Sequence, residues 1–330
     1  MNPVSAPPSA AAASRAEVAP VPGLGLLTFD GPDAAGFLHG QLSSDVAAMA
    51  PGDAGWSSYN SPKGRMLGSM LLWRRAPESF VAFVAADLAE SLRKRLAMFV
   101  LRAKVAVADL TAAGRRFGVS GAGARDAVAA ALGAAPDAAH GVVADGALVV
   151  ATPDGRMLIH APNDAADAIL RRLQSNAVAT GADDWERASI AAGVPLITRA
   201  TQDLFVPQTA NWDLVGGVNF RKGCYPGQEI VARMQYLGRL KERLFAFHVS
   251  AAVPAAGTPL YSPAFGEQAC GTVVNAAPSA TGGSDLLAVV QWSAMESDSL
   301  HLGAPDGPRL AVRALPYEVP AATAPNRPKL

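Results

Sequence analysis

Two thiols, Cys224 and Cys270, and five histidines are the side chains of this 330-residue chain best suited to nucleophilic or metal chemistry. Only Cys224 sits in a setting built for it, the run Asn219-Phe220-Arg221-Lys222-Gly223-Cys224-Tyr225-Pro226-Gly227-Gln228-Glu229-Ile230-Val231-Ala232-Arg233. Pro226, with its φ fixed near the helical value, predicts a helix that starts there and carries Glu229, Ile230 and Arg233. Cys224 then stands just before a helix N-terminus, beside Arg221 and Lys222. A positive dipole end and two cations both favour the thiolate, the nucleophilic form. Gly223 and Gly227 would let backbone come close to a ligand. The competing reading is a small buried apolar residue in a turn, the commoner fate of a cysteine. Physics alone leaves the two readings even. The two cysteines form no C-x-x-C pair and the histidines no HxxxH or HExxH, so no metal site is expected.

The elements that must position this run are legible in outline. Residues 25–29 read as a short strand, and Gly31-Pro32-Asp33 turns the chain into a helix to about 46 with Asp33 as its cap. Strands at 56–59 and 65–73 flank the turn Asn60-Ser61-Pro62-Lys63-Gly64, followed by a strand at 79–86. Asp87 and Glu90 form a capping-box pattern before Leu88, Leu92, Leu96 and Phe99 at helical spacing. The same order returns more weakly between 117 and 174: apolar runs at 142–151 and 156–161 around Pro153-Asp154-Gly155, then a helix from 164 to 173. A further helix is expected at 184–192. From 244 onward short apolar runs alternate with Gly/Pro turns without a convincing helix, the texture of a small antiparallel barrel or sandwich. The fold class is therefore α+β, with two α+β units and a C-terminal antiparallel β-barrel.

Half of the residues are apolar and 17% are charged, which suits a globular chain. With 28 basic and 28 acidic side chains the net charge is zero, so no whole-protein field draws it to nucleic acid or an anionic membrane. The Ala/Pro/Ser-rich residues 1–22 read as a disordered tail rather than a signal peptide, and 320–330 as a frayed end. No apolar run approaches the length of a membrane span, and a cytoplasmic location is expected.

The string KGCYPGQE followed by VAR resembles the signature of the YgfZ family, folate-binding proteins related to the aminomethyltransferase (T-protein) of the glycine cleavage system. Leu38-His39-Gly40-Gln41-Leu42-Ser43-Ser44-Asp45 resembles that family's first helix and Tyr59-Asn60-Ser61-Pro62-Lys63-Gly64-Arg65 its early turn. The stretch from Phe205-Val206-Pro207-Gln208 to Gly216-Gly217-Val218-Asn219-Phe220 resembles its approach to the signature. The resemblance implies a ring of three domains around a central hole that accepts tetrahydrofolate or another reduced folate. Its expected parts are a discontinuous folate-binding domain (23–50 with 115–240), a second α+β domain (51–114) and the barrel (241–330). It also implies an accessory role toward iron–sulfur enzymes or their assembly factors, including enzymes that modify tRNA. Cys224 would be the functional thiol and Lys222 its companion. Arg221, Gly223, Tyr225, Gly227, Gln228, Glu229 and Arg233, with Asn60 and Lys63 of the early turn, would meet the ligand.

The alternative, a tetrahydrofolate-dependent aminomethyl or one-carbon transferase, meets two departures. The enzyme's R-L-E-A-G-x-P segment matches Ser189-Ile190-Ala191-Ala192-Gly193-Val194-Pro195, with Ala191 where the pterin-gripping glutamate stands. The acidic pair expected after the early turn is replaced by Arg65-Met66-Leu67-Gly68. Without a positioned acid or base, a contribution of roughly 10²–10⁴ in rate is lost, and aminomethyl transfer is not expected. Asp203 and Asp213 read as solvated loop acids, Arg93-Lys94-Arg95 as a solvated helix face, and the five tryptophans as core or pocket walls. Direct tRNA binding is not expected, and one signature cysteine is too few to hold a cluster.

Overall fold

The computed structural model describes residues 15–320 apart from 237, 239 and 298. A five-stranded antiparallel sheet lies at the centre, in the order Ala54–Asn60, Met66–Ala76, Ser79–Ala85, Leu24–Asp30, Ala106–Asp109. Its strands read as unbroken apolar runs because both faces are covered. Leu27, Phe29, Leu72, Phe80 and Val84 point into one core, while Leu26, Leu71, Trp73, Val81 and Phe83 point into another. Helix Ala86–Ala97 closes the first core with Leu88, Leu92 and Leu96. Asp87 lies inside its first turn rather than capping it, and accepts the backbone N–H of Arg199.

A second, six-stranded sheet runs in the order Val178–Ala179, Glu17–Pro20, Gly114–Ser120, Met157–Pro162, Ala147–Ala151, Gly141–Ala144, with helices Ala124–Leu132 and Ala166–Asn176 packed on it. The apolar run expected at 142–151 is thus a hairpin. Asp145 and Gly146 both take positive φ (49° and 75°), the signature of a tight two-residue turn. The third sheet orders His301–Leu302, Pro259–Tyr261, Ala269–Pro278, Ser284–Gln291, Glu242–Val249 and Leu310–Arg313. It curls until its edges meet, through Leu310 N–H to Leu300 O (2.8 Å) and Leu302 N–H to Pro308 O (2.9 Å). This is the expected C-terminal barrel, with one short helical turn, Trp292–Met295, added.

Several expectations need correction. Residues 15–22 are not a tail: Glu17–Pro20 pairs with both Gly114–Ser120 and Val178–Ala179, and Val18 and Val21 are buried. Residues 1–14 and 321–330 lie outside the described residues. Sheet pairing also does not group 23–50 with 115–240. Leu24–Asp30 fills the open edge of Ser79–Ala85 and so belongs with 54–109, whereas 114–179 recruits Glu17–Pro20. Finally, the first helix is only Ala34–His39. Gly40 follows it, and Ser43 Oγ accepts from Ser58 Oγ (2.9 Å) while Ser44 Oγ donates to Ser57 Oγ (2.8 Å), drawing the chain onto the strand. Asp33 occupies the cap position, but its carboxylate takes the backbone N–H of Lys104.

The three units are locked together by the segment from 182 to 218. Helix Ala182–Ala191 and Val194, Ile197, Phe205 and Trp212 join a core that also contains Leu244, Val274 and Leu287 of the barrel. Asp213, expected to be solvated, is buried in an ion pair with Arg243 (2.7 Å), and Arg243 also donates to Gln208 O. Asp203 accepts from Ser61 Oγ at 2.8 Å. Arg93 and Lys94 pair with Glu90 on an exposed helix face, as expected, but Arg95 is not part of that solvated face: its Nε is buried and its guanidinium acts on the buried Tyr59 phenol.

Candidate functional site

The signature run forms a loop held by its own backbone. Asn219 N–H donates to Ser43 O, and the Asn219 side chain accepts from Arg221 N–H. The helix begins at Gln228 rather than at Pro226 and runs to Tyr236. What displaces its start is Gly227, at φ +77°. A Cβ there would lie 2.6 Å from Gly64 N and closer still to Ser61 O. Gly64, itself at φ +73°, leaves no room for a Cβ against Ile230, 2.8 Å away. Two turns distant in sequence, 61–64 and 225–228, therefore interlock backbone to backbone, which only glycine at both positions permits. This contact brings the early turn, with exposed Lys63 and Arg65, beside the thiol loop.

Within the loop the side chains divide sharply. Cys224 is exposed, as are Arg221, Glu229 and Arg233. Lys222 is buried and points away from solvent, donating to the backbone oxygens of His39 and Leu42 at the end of the first helix, with its ammonium 5.0 Å over the Tyr225 ring. Burial pulls the Lys222 ammonium down to about 8, against the opposing pull of Asp45 and Cys224. Tyr225 is buried as well, its phenol pushed up to about 12. Gln228 donates to Lys222 O at 3.2 Å. Lys222, Tyr225 and Gln228 thus shape the loop, while Cys224 and the exposed charges present themselves.

His39, which sequence reasoning placed in the first helix without a role, comes to the same spot. Its Nε2 lies 3.3 Å from where a Cβ on Gly223 would stand, and its Nδ1 is 3.3 Å from Asp45 Oδ1. Burial lowers the imidazole pKa, Lys222 lowers it further, and Asp45 works against both. Asn60 is 1% exposed, and neither side-chain atom has a partner among the described residues. The second thiol, Cys270, is buried in the barrel core.

A separate, narrow cleft of about 50 Å³ lies where the three units meet. The central sheet contributes Leu24, Trp56, Met70 and Phe83; the second unit contributes Arg156 and Leu158. Helix Ala182–Ala191 presents Trp185, Glu186, Ser189 and Ile190, Trp212 adds a wall, and Asn275 reaches in from the barrel. Trp56 and Trp212 stand 5.8 Å apart, and Arg156 stacks 4.7 Å over Trp185. No residue of 219–233, nor Asn60 or Lys63, lines this cleft. Ala191 does not line it either: it faces a groove with Ala246, Phe247 and Asp285 of the barrel. Sequence reasoning missed Glu186. The available signal was a carboxylate three and four residues before Ser189 and Ile190, on the packed face of a helix.

Among the described residues no three His, Cys, Asp or Glu side chains converge as metal ligands, and no helix is long and apolar enough to cross a membrane.

Two α+β units closed by a small barrel around a shared cleft define the aminomethyltransferase class of fold. The crystal structure of the glycine cleavage system aminomethyltransferase T from Bartonella henselae superposes with a TM-score of 0.76, covering 92% of this chain and 86% of that one at 17% identity. The tRNA-modifying protein YgfZ of Klebsiella pneumoniae (strain 342) is 33% identical over 303 residues, 89% of this chain and 90% of that protein. That of Enterobacter sp. (strain 638) is 32% identical over 301 residues, 89% and 91% of the two chains. This chain belongs to the YgfZ family. No family model matches it.

Proposed function

We propose that the chain binds a reduced folate, tetrahydrofolate or a close relative, in the three-unit cleft. In this reading it serves iron–sulfur enzymes, including enzymes that modify tRNA, through the exposed thiol of Cys224. The observation that carries the ligand reading is the cleft itself. The cleft is tight, about 50 Å³ against the ~300–1,000 Å³ typical of small-molecule sites, so its walls must part to admit a folate ring. Its walls are indole and phenyl rings suited to a flat heterocycle, and its polar groups are few. The curated relatives' name supports the link to tRNA modification. Aminomethyl transfer is not part of the proposal, because Met66 and Leu67 stand buried where an acidic pair would have to act.

Trp56, Trp185 and Trp212 line the cleft, so tryptophan fluorescence reports occupancy directly. Titration of the reduced protein with tetrahydrofolate is expected to saturate at a Kd on the order of micromolar, about −8 kcal/mol. No response up to about millimolar ligand would remove folate from the reading and leave the fold in use for another ligand.

A further inference from the structure

We propose that Glu186 is the side chain that reads the ligand's ring in this cleft, accepting the adjacent N–H donors of a 2-amino-4-oxo pterin on its two carboxylate oxygens. The proposal rests on the folate reading above and assigns the group that does the recognising. Positions 186 and 191 are on different sides of helix Ala182–Ala191: Glu186 lines the cleft and Ala191 the groove against the barrel. The alanine at 191 therefore takes no acceptor away from the cleft, and the acceptor is supplied one turn earlier.

The amide, hydroxyl and guanidinium side chains of the wall already have partners. Asn275 exchanges two hydrogen bonds with the Leu196 backbone, at 2.8 and 3.0 Å. Ser69 accepts from Ile197 N–H. Arg156 is committed to Asp154 at 2.7 Å and to Ser189 Oγ at 2.6 Å. The Trp212 indole N–H is buried without an acceptor among the described residues, but it is a donor and cannot receive a ring N–H. Glu186 alone of the wall's charged groups has neither a hydrogen bond nor an ion pair among the described residues. Its carboxyl is pushed up by burial, with Arg156 opposing and Asp183 adding to the rise. A half-buried carboxylate among aromatic rings is unfavourable until donors arrive. The chemistry it selects is a planar ring bearing two parallel N–H groups, which a carboxylate accepts side by side.

The test titrates the full chain and Glu186→Gln with tetrahydrofolate, following tryptophan fluorescence and calorimetry, with a thermal melt to confirm folding. Glutamine offers one acceptor and one donor to two donors, so affinity should fall about 10- to 100-fold. Wild-type affinity should also fall on acidification, beginning above the usual glutamate range, because both oxygens accept only when ionised; the glutamine variant should lack this dependence. Equal affinity of the two proteins would overturn the role of Glu186 and leave the folate reading standing. A folded wild type that binds no tetrahydrofolate would overturn both. If the glutamine variant melts early, Glu186→Asp decides: it keeps the charge but withdraws it by one methylene, and undiminished binding there would also overturn the assignment.

Discussion

The cleft and the thiol loop occupy one molecule with opposite physical designs. The cleft is built from side chains of all three units, walled by tryptophans and furnished with a carboxylate that awaits a partner. The loop is built from backbone, pinned by two glycines at positive φ, and presents its cysteine to solvent among exposed cations. On the proposed reading the difference separates two tasks. A site that must hold a small molecule benefits from an enclosed wall, whereas a thiol that must meet a macromolecule needs exposure and a rigid base. On the proposed reading, the signature residues that a single-pocket view would place around the ligand frame a second surface.

The largest expected effect tests that frame. Gly227→Val adds a side chain where backbone of Ser61 and Gly64 already stands, at a φ that a β-branched residue resists. Destabilisation on the order of 3 kcal/mol or more is expected from denaturant unfolding. Near-wild-type stability would mean that the two turns do not interlock.

Lys222→Met comes next. It leaves the His39 and Leu42 oxygens without their donor, a loss of about 1–3 kcal/mol. The pH dependence sharpens the case. With the folded ammonium at about 8 and the ordinary value at 10.5, the unfolded chain binds more protons between those limits. Stability from this residue should therefore rise with pH across the window. The neutral amine still has two N–H donors for the two oxygens. Methionine should flatten that rise; a lysine facing the thiol and solvent would show none.

How much of this was legible follows from what local sequence encodes. The hairpin around 60–64, helix Ala86–Ala97 and the short barrel strands announce themselves through turn residues and periodicity. The Cys224 string is contiguous, so it could be read whole. Strand Glu17–Pro20 could not, because its Ala/Pro-rich text acquires meaning only against Gly114–Ser120, far along the chain. The same holds for the placing of Leu24–Asp30 and for the burial of Asp213, which depends on Arg243 arriving from the barrel. The cleft was invisible for that reason: its wall gathers Leu24, Trp56, Arg156, Glu186, Trp212 and Asn275 from across the chain. Local grammar marks what a segment does by itself, and the binding wall is made of residues that do little until they meet.

The smallest expected effect on stability carries the most weight for function. Cys224 is exposed and outside every hydrophobic core cluster. Cys224→Ala should therefore change unfolding free energy by no more than about 0.5 kcal/mol and leave the tetrahydrofolate titration untouched. It should nevertheless abolish the rescue of iron–sulfur-dependent tRNA modification in cells lacking the protein. Glu186→Gln should do the reverse in vitro, weakening folate while leaving the alkylation rate of Cys224 unchanged. Full rescue by the alanine variant would end the thiol's role. A folate affinity that fell with the cysteine would show the two regions to be one coupled site, and the division drawn from their geometry would have to be given up.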